Sequence, residues 1–238
     1  MISKTTAEGD SVRTGSFQYL KDSVAHSLYR NGMVLARRDK DGSDAGKEGI
    51  DLEARSMEVR DARRCELMAR RRLRQNGFEM LAHPLGTMGL DFLNNEQVVS
   101  NYYPQCAEIV REATGANLVT AFDHNIRSAA GKQSKRRIQG GQQVQGPAHV
   151  VHGDYTLTSA PQRLRDLTKS PGPNDTFYSF LPDGQSVLDA EAVDRILAGG
   201  RFAIINVWRN ITEDPVATNP LALCDATSVR PENLVVFE

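Results

Sequence analysis

One segment near the end of the chain, RFAIINVWRNI at residues 201–211, constrains the fold most. It is dominated by β-branched, aliphatic and aromatic residues, a composition typical of a strand. Weaker patterns of the same kind predict strands over residues 117–124 and 148–157. Residues 17–30 are expected to form a strand followed by a turn. The chain must therefore contain a β core.

Helical patterns occupy other stretches of the sequence. Each contains good helix formers, and several end at glycine, which is a common helix stop. These patterns cover residues 61–76, residues 95–113 with a break at Pro104, residues 159–170 and residues 189–200. With helices early and strands late, the pattern predicts an α+β protein built around an antiparallel β core.

Length and composition favour one compact domain. The 238 residues carry a net charge of −1, and 39% of them are hydrophobic, which is enough for a sizeable core. No apolar run of about 18 residues occurs and no signal segment opens the chain, so we expect a soluble, cytoplasmic protein without a membrane partner. Residues 1–16 are expected to be a mobile tail, and residues 17–238 a single domain with a flexible loop at about 128–146.

Two other classes of protein find little support. Three widely spaced cysteines match neither a disulfide framework nor a zinc finger. A dense arginine run could bind nucleic acid, but the neutral chain lacks interleaved aromatic residues, so we favour a solvated helix face and no nucleic-acid partner. The residues concerned are Cys65, Cys106 and Cys224, and Arg60, Arg63, Arg64, Arg70, Arg71, Arg72 and Arg74.

The sharpest chemical signal is the tripeptide His152-Gly153-Asp154. Residues two apart on a strand point to the same face, so this imidazole and this carboxylate can reach one ion. They would supply two-thirds of the 2-His-1-carboxylate facial triad, which holds Fe(II) and leaves positions open for other ligands. A tripeptide of this kind is frequent by chance, and a surface histidine beside an aspartate is the structural alternative.

Several ordered segments give the motif a context. The chain resembles the hydroxylase/desaturase group of non-haem oxidoreductases, which includes the cephalosporin 7α-hydroxylase component and fungal gibberellin desaturase. The resemblance covers about residues 55–238, and its most specific part is the INVWR…PLALCDA combination. Its segments are NGFEML from residue 76, DFLNNEQVVSNYYPQCAEIVREATGA at 91–116, FDHNIR at 122–127, VHGDYTLTSAPQRL at 151–164, RFAIINVWRNITEDPVATNPLALCDATSV at 201–229 and NLVV at 233–236.

The resemblance implies Fe(II) and 2-oxoglutarate as cofactors, a small-molecule substrate, and a double-stranded β-helix (jelly-roll) core with N-terminal helices. His152 and Asp154 match the metal-binding motif of the group. By the same resemblance, Asn206 and Arg209 are expected to bind the co-substrate, and the planar guanidinium of arginine suits a carboxylate. The salt-bridge alternative for Arg209 is equally weighted.

Further residues of the matched segments are assigned in the same way. His124, Arg127 and Tyr155 are expected to contact the substrate. Because side chains alternate along a strand, Asn206 and Arg209 should not both point into one pocket unless the strand bulges or twists. Trp208 is expected to pack in the core rather than form a substrate platform.

The sequence departs from the group in one respect: no histidine follows His152. His124 is the first candidate for a third ligand and His149 the second. The alternatives for His124 are a substrate contact and a core histidine. Since the group continues past NLVV with a histidine-bearing segment, we expect a jelly roll that lacks its C-terminal strands. Two functions stay open: an oxygenase that hydroxylates or desaturates a secondary metabolite, and a non-catalytic or truncated relative that acts as a binding or partner subunit. For either function, a homo-oligomer or a partner subunit is an open expectation.

Overall fold

The computed structural model defines the arrangement of most of the chain. Helices and antiparallel strands are both present, in agreement with the α+β class. The structure describes residues 12–24, 35–38, 44–48, 51–63, 73–85, 89–128, 138 and 144–236.

The described strands form two antiparallel sheets of two strands each. Strand β1 (Arg13–Leu20) pairs with β4 (Leu52–Val59) in a register that runs from Arg13 opposite Val59 to Leu20 opposite Leu52. Strand β2 (Leu35–Arg38) pairs with β3 (Asp44–Glu48), with an irregularity between Ala36 and Arg38. The second edge of β1 carries a parallel bridge from Gln18 to Val150, which fixes the segment that leads to His152.

The helices follow the four described strands along the chain. The α-helices are α1 (Leu73–Asn76), α2 (Asn95–Gln97), α3 (Tyr103–Thr114), α4 (Ser159–Asp166) and α5 (Ala190–Gly199). A π-helix, Val98–Tyr102, joins α2 to α3, and single 3₁₀ turns cover Thr176–Ser179, Ala226–Ser228 and Pro231–Asn233. No helix among the described residues is long and apolar enough to cross a membrane.

Local sequence explains the ends of these helices. Gly115 ends α3 in the left-handed region at φ 71°. The Asp189 carboxylate begins α5 by accepting a hydrogen bond of 2.8 Å from the Ala192 N–H.

The described core lies along the helical half of the chain. In α3, the buried residues recur every third position, so they share one face of the helix. Helix α4 and the turn after it join α5 through the Leu188 N–H, which donates to the Leu167 carbonyl over 3.0 Å. The buried apolar residues are Val98, Tyr103, Cys106, Ile109, Ile138, Val144, Leu164, Leu167 and Val193.

The predicted order of elements is wrong. The described strands precede most of the helices, and the segments at 117–124, 148–157 and 201–211 form no regular strand. A strand requires a neighbouring backbone, and within the described residues the 148–157 segment gains only the single bridge at Val150. Trp208 is 49% exposed, so its expected core position is wrong as well.

Other expectations meet the structure only in part. Of the expected tail at residues 1–16, Arg13 to Ser16 lie in β1. Most of the predicted loop at 128–146, and residues 64–72 of the arginine run, lie outside the described residues. The described sheets have two strands each, so they do not by themselves show a double-stranded β-helix.

One long-range contact ties α1 to the last 3₁₀ turns. The buried Asn76 amide donates to both carboxylate oxygens of Asp225 at 3.0 Å, and Asp225 also accepts from the Thr227 N–H. We expect Asp225→Ala to lower the free energy of unfolding by about 1–3 kcal/mol, because the buried amide would lose its partner. Urea denaturation checks this, with Glu213→Ala as an exposed acidic control. If Asp225→Ala and Glu213→Ala lower the free energy of unfolding equally, the contact between Asn76 and Asp225 does not stabilise the fold.

Candidate functional site

The candidate site begins at the edge of β1 that faces away from β4. There the Val151 N–H donates a hydrogen bond of 2.9 Å to the Gln18 carbonyl, so the backbone just before His152 is bound to the β1–β4 sheet. Asp154 follows two residues later. Their side chains are about half exposed, at 48% and 46%. A hydrogen-bonded segment therefore presents the His-x-Asp pair at the surface.

The two side chains converge as the tripeptide predicts. His152 Nε2 lies 3.4 Å from Asp154 Oδ1. On the far side of the ring, His152 Nδ1 donates a hydrogen bond of 2.7 Å to the Val150 carbonyl. On the far side of the carboxylate, Asn206 Nδ2 donates to Asp154 Oδ2 over 2.6 Å. Both groups are thus oriented by outer partners, with Nε2 and Oδ1 facing each other.

The same contacts shift the ionisation of the pair. The hydrogen bond to Asp154 is the largest cause that raises the pKa of His152, and burial opposes it. The hydrogen bond to His152, followed by the Asn206 amide, lowers the pKa of Asp154 against the opposing effect of burial. The positive charge of Arg127 lowers the pKa of both groups. The carboxylate therefore stays ionised at neutral pH, as a metal ligand must.

Arg127, whose charge acts on both groups, lies on a second segment. It forms a parallel bridge with Gln145, and its Nη1 donates a hydrogen bond of 3.1 Å to the Gly146 carbonyl. The adjacent Gln145 side chain donates to Asn125 Oδ1 over 2.9 Å. These contacts hold the guanidinium on the strand-like segment that leads into the site.

Asn206 and Arg209 contact different parts of the protein, although the segment that carries them forms no regular strand. Asn206 reaches Asp154, whereas Arg209 Nε donates to the Tyr102 hydroxyl over 2.9 Å and Arg209 Nη1 to the His83 carbonyl over 2.5 Å. Burial raises the pKa of Tyr102 to about 12, so its hydroxyl stays neutral and accepts the bond. Arg209 thereby fastens the segment after Asn206 to the π-helix.

Tyr155 lies directly beside the pair and is 39% exposed. Burial raises the pKa of its phenol, and the nearby carboxylates of Asp123 and Asp154 act in the same direction. Arg163, with its guanidinium 5.2 Å from the Phe122 ring centre, lowers it. The Tyr155 hydroxyl is therefore a neutral hydrogen-bonding group between the site and the FDHNIR segment.

His124 belongs to a separate, more buried cluster. Its Nδ1 lies 2.8 Å from the Tyr103 hydroxyl, and the two rings meet edge to face. Its Nε2 is buried without a partner among the described residues. The neighbouring Asp123 carboxylate accepts a hydrogen bond of 2.7 Å from Thr176 Oγ1. Burial lowers the pKa of His124, with Asp123 opposing, so its imidazole is neutral at pH 7.

This shift predicts how stability depends on pH. The unfolded chain binds a proton at His124 more readily than the folded protein, so the free energy of unfolding should fall as pH drops below about 6.5. We expect His124→Asn, which keeps a polar atom near the Nδ1 position, to flatten that slope. Denaturant titrations from pH 7.5 to 5 measure it. An unchanged slope would show that His124 does not titrate in this way.

No third protein ligand stands beside the pair in the part of the chain that the structure describes. Within the described ranges, no group of three or more histidine, cysteine, aspartate or glutamate side chains is placed to hold one metal ion. His124 therefore does not complete a three-residue cluster with His152 and Asp154. Sequence reasoning also missed the carbonyls of Val150 and Gly146, because a backbone group leaves no signal in the residue type.

Comparison with known proteins places the chain among oxidoreductases. A family described as an oxidoreductase/YMDC permease-like domain matches residues 17–238. An uncharacterized protein in the dcmA 3′ region of Methylophilus leisingeri is 44% identical over 194 residues, which cover 81% of this chain and 88% of that protein. No solved structure matches the chain.

Fungal relatives carry names that state an activity. The alpha-ketoglutarate-dependent dioxygenase phiK of a fungal species is 30% identical over 191 residues, covering 80% of this chain and 57% of that protein. The hydroxylase/desaturase CTB9 of Cercospora beticola is 30% identical over 165 residues, covering 67% and 43%. The matches thus span about half of each of these fungal proteins. The chain belongs to this oxidoreductase family, in the group that contains the α-ketoglutarate-dependent dioxygenases and hydroxylase/desaturases.

Proposed function

We propose that the protein is an Fe(II)- and 2-oxoglutarate-dependent oxygenase that hydroxylates or desaturates a small secondary metabolite. The observation that carries the proposal is the oriented pair of His152 Nε2 and Asp154 Oδ1, 3.4 Å apart. The names of the fungal relatives support the reaction class. As part of the same proposal, the site lies on a jelly-roll core.

The distance between the two atoms fits a shared ion. Atoms that bind one ion at about 2.1 Å lie roughly 3.0 Å apart at right angles and roughly 3.4 Å apart at the tetrahedral angle. Nitrogen and carboxylate oxygen also form the donor set that non-haem Fe(II) takes. His152 and Asp154 would therefore hold the metal, and they leave most of its coordination positions to other molecules.

The surrounding residues prepare the pair. The Val150 carbonyl keeps a proton on Nδ1, so on metal binding His152 would release the Nε2 proton and offer that lone pair to the ion. The Asn206 amide occupies Asp154 Oδ2 and leaves Oδ1 for the ion. With 2-oxoglutarate and dioxygen, bound Fe(II) would supply the oxidant for an unactivated C–H bond, as dioxygen oxidises 2-oxoglutarate to succinate and CO₂. Tyr155 and His124 are proposed to contact the small-molecule substrate.

Succinate formation tests the proposal. Wild-type protein given Fe(II), 2-oxoglutarate and dioxygen should produce succinate, and His152→Ala should produce less than about a hundredth as much, since it loses one of two ligands. His149→Ala, an exposed imidazole three residues earlier, should retain activity. Equal turnover in wild type and His152→Ala would refute the oxygenase assignment.

A second function is favoured by the ligand count. Only two protein ligands converge among the described residues, and the sequence has no histidine after His152. The alternative is a non-catalytic relative that binds a metabolite or pairs with another subunit. It predicts no stoichiometric Fe(II) binding, so an anaerobic Fe(II) titration of the wild-type protein separates the two functions.

A further inference from the structure

Asn76 and Gly77 form an Asn-Gly pair at the end of α1, and the fold requires both residues. Asn76 supplies the buried amide that donates to both carboxylate oxygens of Asp225 at 3.0 Å. Gly77 has a φ of 81°, and a Cβ added to it would lie 3.2 Å from Ala226 Cβ. Any other residue at position 77 would therefore strain the backbone and crowd the turn that begins at Ala226.

The same dipeptide is the sequence in which asparagine deamidates most readily, because glycine leaves the following backbone nitrogen unhindered. In that reaction the Gly77 nitrogen attacks Asn76 Cγ and a new C–N bond forms. The amide nitrogen Nδ2 leaves as ammonia, and it takes the proton of the Gly77 N–H with it. Water then opens the cyclic imide to aspartate or isoaspartate, so water is the co-reactant of the whole conversion.

The structure opposes this cyclisation at both reacting groups. Asn76 Nδ2, the leaving group, is bound to the Asp225 carboxylate. The Gly77 N–H, whose nitrogen must attack, donates a hydrogen bond of 3.0 Å to the Leu73 carbonyl. Asn76 is 6% exposed, so base and water have little access to it. The contact between α1 and Asp225 must open before the ring can close.

We propose that residues 76–77 are a deamidation site that is protected by the Asp225 contact and reacts when the Ala226–Ser228 turn separates from α1. A local opening is sufficient, because release of Asp225 frees Nδ2 and exposes the pair to water. The product places a carboxylate, which has no proton to donate at neutral pH, against the Asp225 carboxylate. Like charges then repel where a hydrogen bond stood, and the original contact does not re-form.

Mass spectrometry of the digested protein measures the deamidation rate at Asn76. Asn31-Gly32, which lies outside the described residues, repeats the dipeptide and provides a reference rate in denaturant. In guanidinium chloride at mildly alkaline pH, we expect comparable rates at Asn31 and Asn76. In buffer of the same pH, the wild-type rate at Asn76 should be at least about tenfold lower than in denaturant.

Two results with the wild-type protein alone would overturn the proposal. If Asn76 reacts as fast in buffer as in guanidinium chloride, the fold does not protect it. If Asn76 reacts much more slowly than Asn31 in guanidinium chloride, the neighbouring sequence slows the reaction and the Asp225 contact is not the cause.

Substitutions at Asp225 test the protecting contact itself. In buffer, Asp225→Ala should speed deamidation at Asn76 by about 5- to 100-fold, because Nδ2 is no longer bound. Asp225→Asn keeps one acceptor oxygen but no charge, and should be at least about threefold faster than the wild type. Glu213→Ala, which removes an exposed carboxylate, should react at the wild-type rate.

Urea denaturation first establishes that each variant is folded. A folded Asp225→Ala variant that deamidates at the wild-type rate would overturn the proposal. If Asp225→Ala does not fold, Asp225→Asn takes its place, and a wild-type rate in that variant overturns the proposal in the same way. An equal acceleration in Glu213→Ala would also overturn it, because the effect would then not depend on the contact with Asn76.

Discussion

Asp154→Ala is expected to weaken binding of a divalent metal by roughly 100-fold or more. The substitution removes one of two converging ligands, and loss of an outer partner alone commonly costs 10–100-fold. It also removes the negative charge that offsets Arg127, so the ion would meet a site with net positive charge. Isothermal calorimetry of Mn²⁺ titrated into the wild-type and variant proteins measures the change in affinity.

The matched control for this variant is Asp166→Ala. Asp166 accepts a hydrogen bond from Lys169 Nζ over 2.7 Å on the exposed end of α4, and it has no contact with the His152 segment. Its replacement should leave Mn²⁺ affinity unchanged. If Asp154→Ala binds Mn²⁺ as tightly as the wild type, the pair is an ordinary surface ion pair and the metal site does not exist.

Asn206→Ala is expected to weaken Mn²⁺ binding by about 10–100-fold, although Asn206 is not itself a ligand. Its amide holds Asp154 Oδ2 at 2.6 Å, and without that bond the carboxylate can rotate away from His152. The pKa of Asp154 should also rise toward its ordinary value, because the amide contributes to its lowering. The same Mn²⁺ titration measures the effect, with thermal unfolding to confirm that the variant is folded.

Asn210→Ala is the control that distinguishes the orienting role of Asn206 from a general disturbance of the 201–211 segment. Asn210 donates to the Asp214 carbonyl over 2.8 Å, so it stabilises the turn after the segment and does not reach the pair. Its variant should lose stability at most, with Mn²⁺ affinity kept. Equal losses of metal affinity in Asn206→Ala and Asn210→Ala would mean that the segment acts as a whole and that Asn206 has no orienting role.

Parts of the fold set by local chemistry were predictable from sequence. Helices α3, α4 and α5 lie where helical residues and stop signals coincide, and Gly115 and Asp189 mark two of their ends. The π-helix before α3 was not foreseen, because its residues differ little from those of an α-helix.

Parts set by long-range pairing were not predictable. The segment 201–211 has the composition of a strand, but composition does not specify a partner, and its side chains bond to Asp154 and Tyr102 instead of joining a described ladder. The predicted order of strands and helices was wrong for the same reason. Contacts between residues far apart in sequence decide it.

In the candidate site, too, local contacts could be predicted and long-range contacts could not. His152 and Asp154 do converge, but the segment that carries them forms no regular strand, so their spacing of two residues suggested the contact without explaining it. The contact from Asn206 crosses 52 positions of sequence, and the resemblance indicated only that Asn206 belongs near the co-substrate. The position of Arg127 depends on a parallel bridge that no local pattern encodes.

The π-helix gives two adjacent tyrosines different destinations. Tyr102, its last residue, receives the hydrogen bond from Arg209, while Tyr103, the first residue of α3, meets His124. Successive residues of a helix point about 100° apart, so the two rings face different neighbours. The wide turn holds about one residue more than an α-helical turn, and this extra residue sets where Tyr102 meets Arg209. Insertions or deletions within Val98–Tyr102 should therefore be tolerated far less than substitutions.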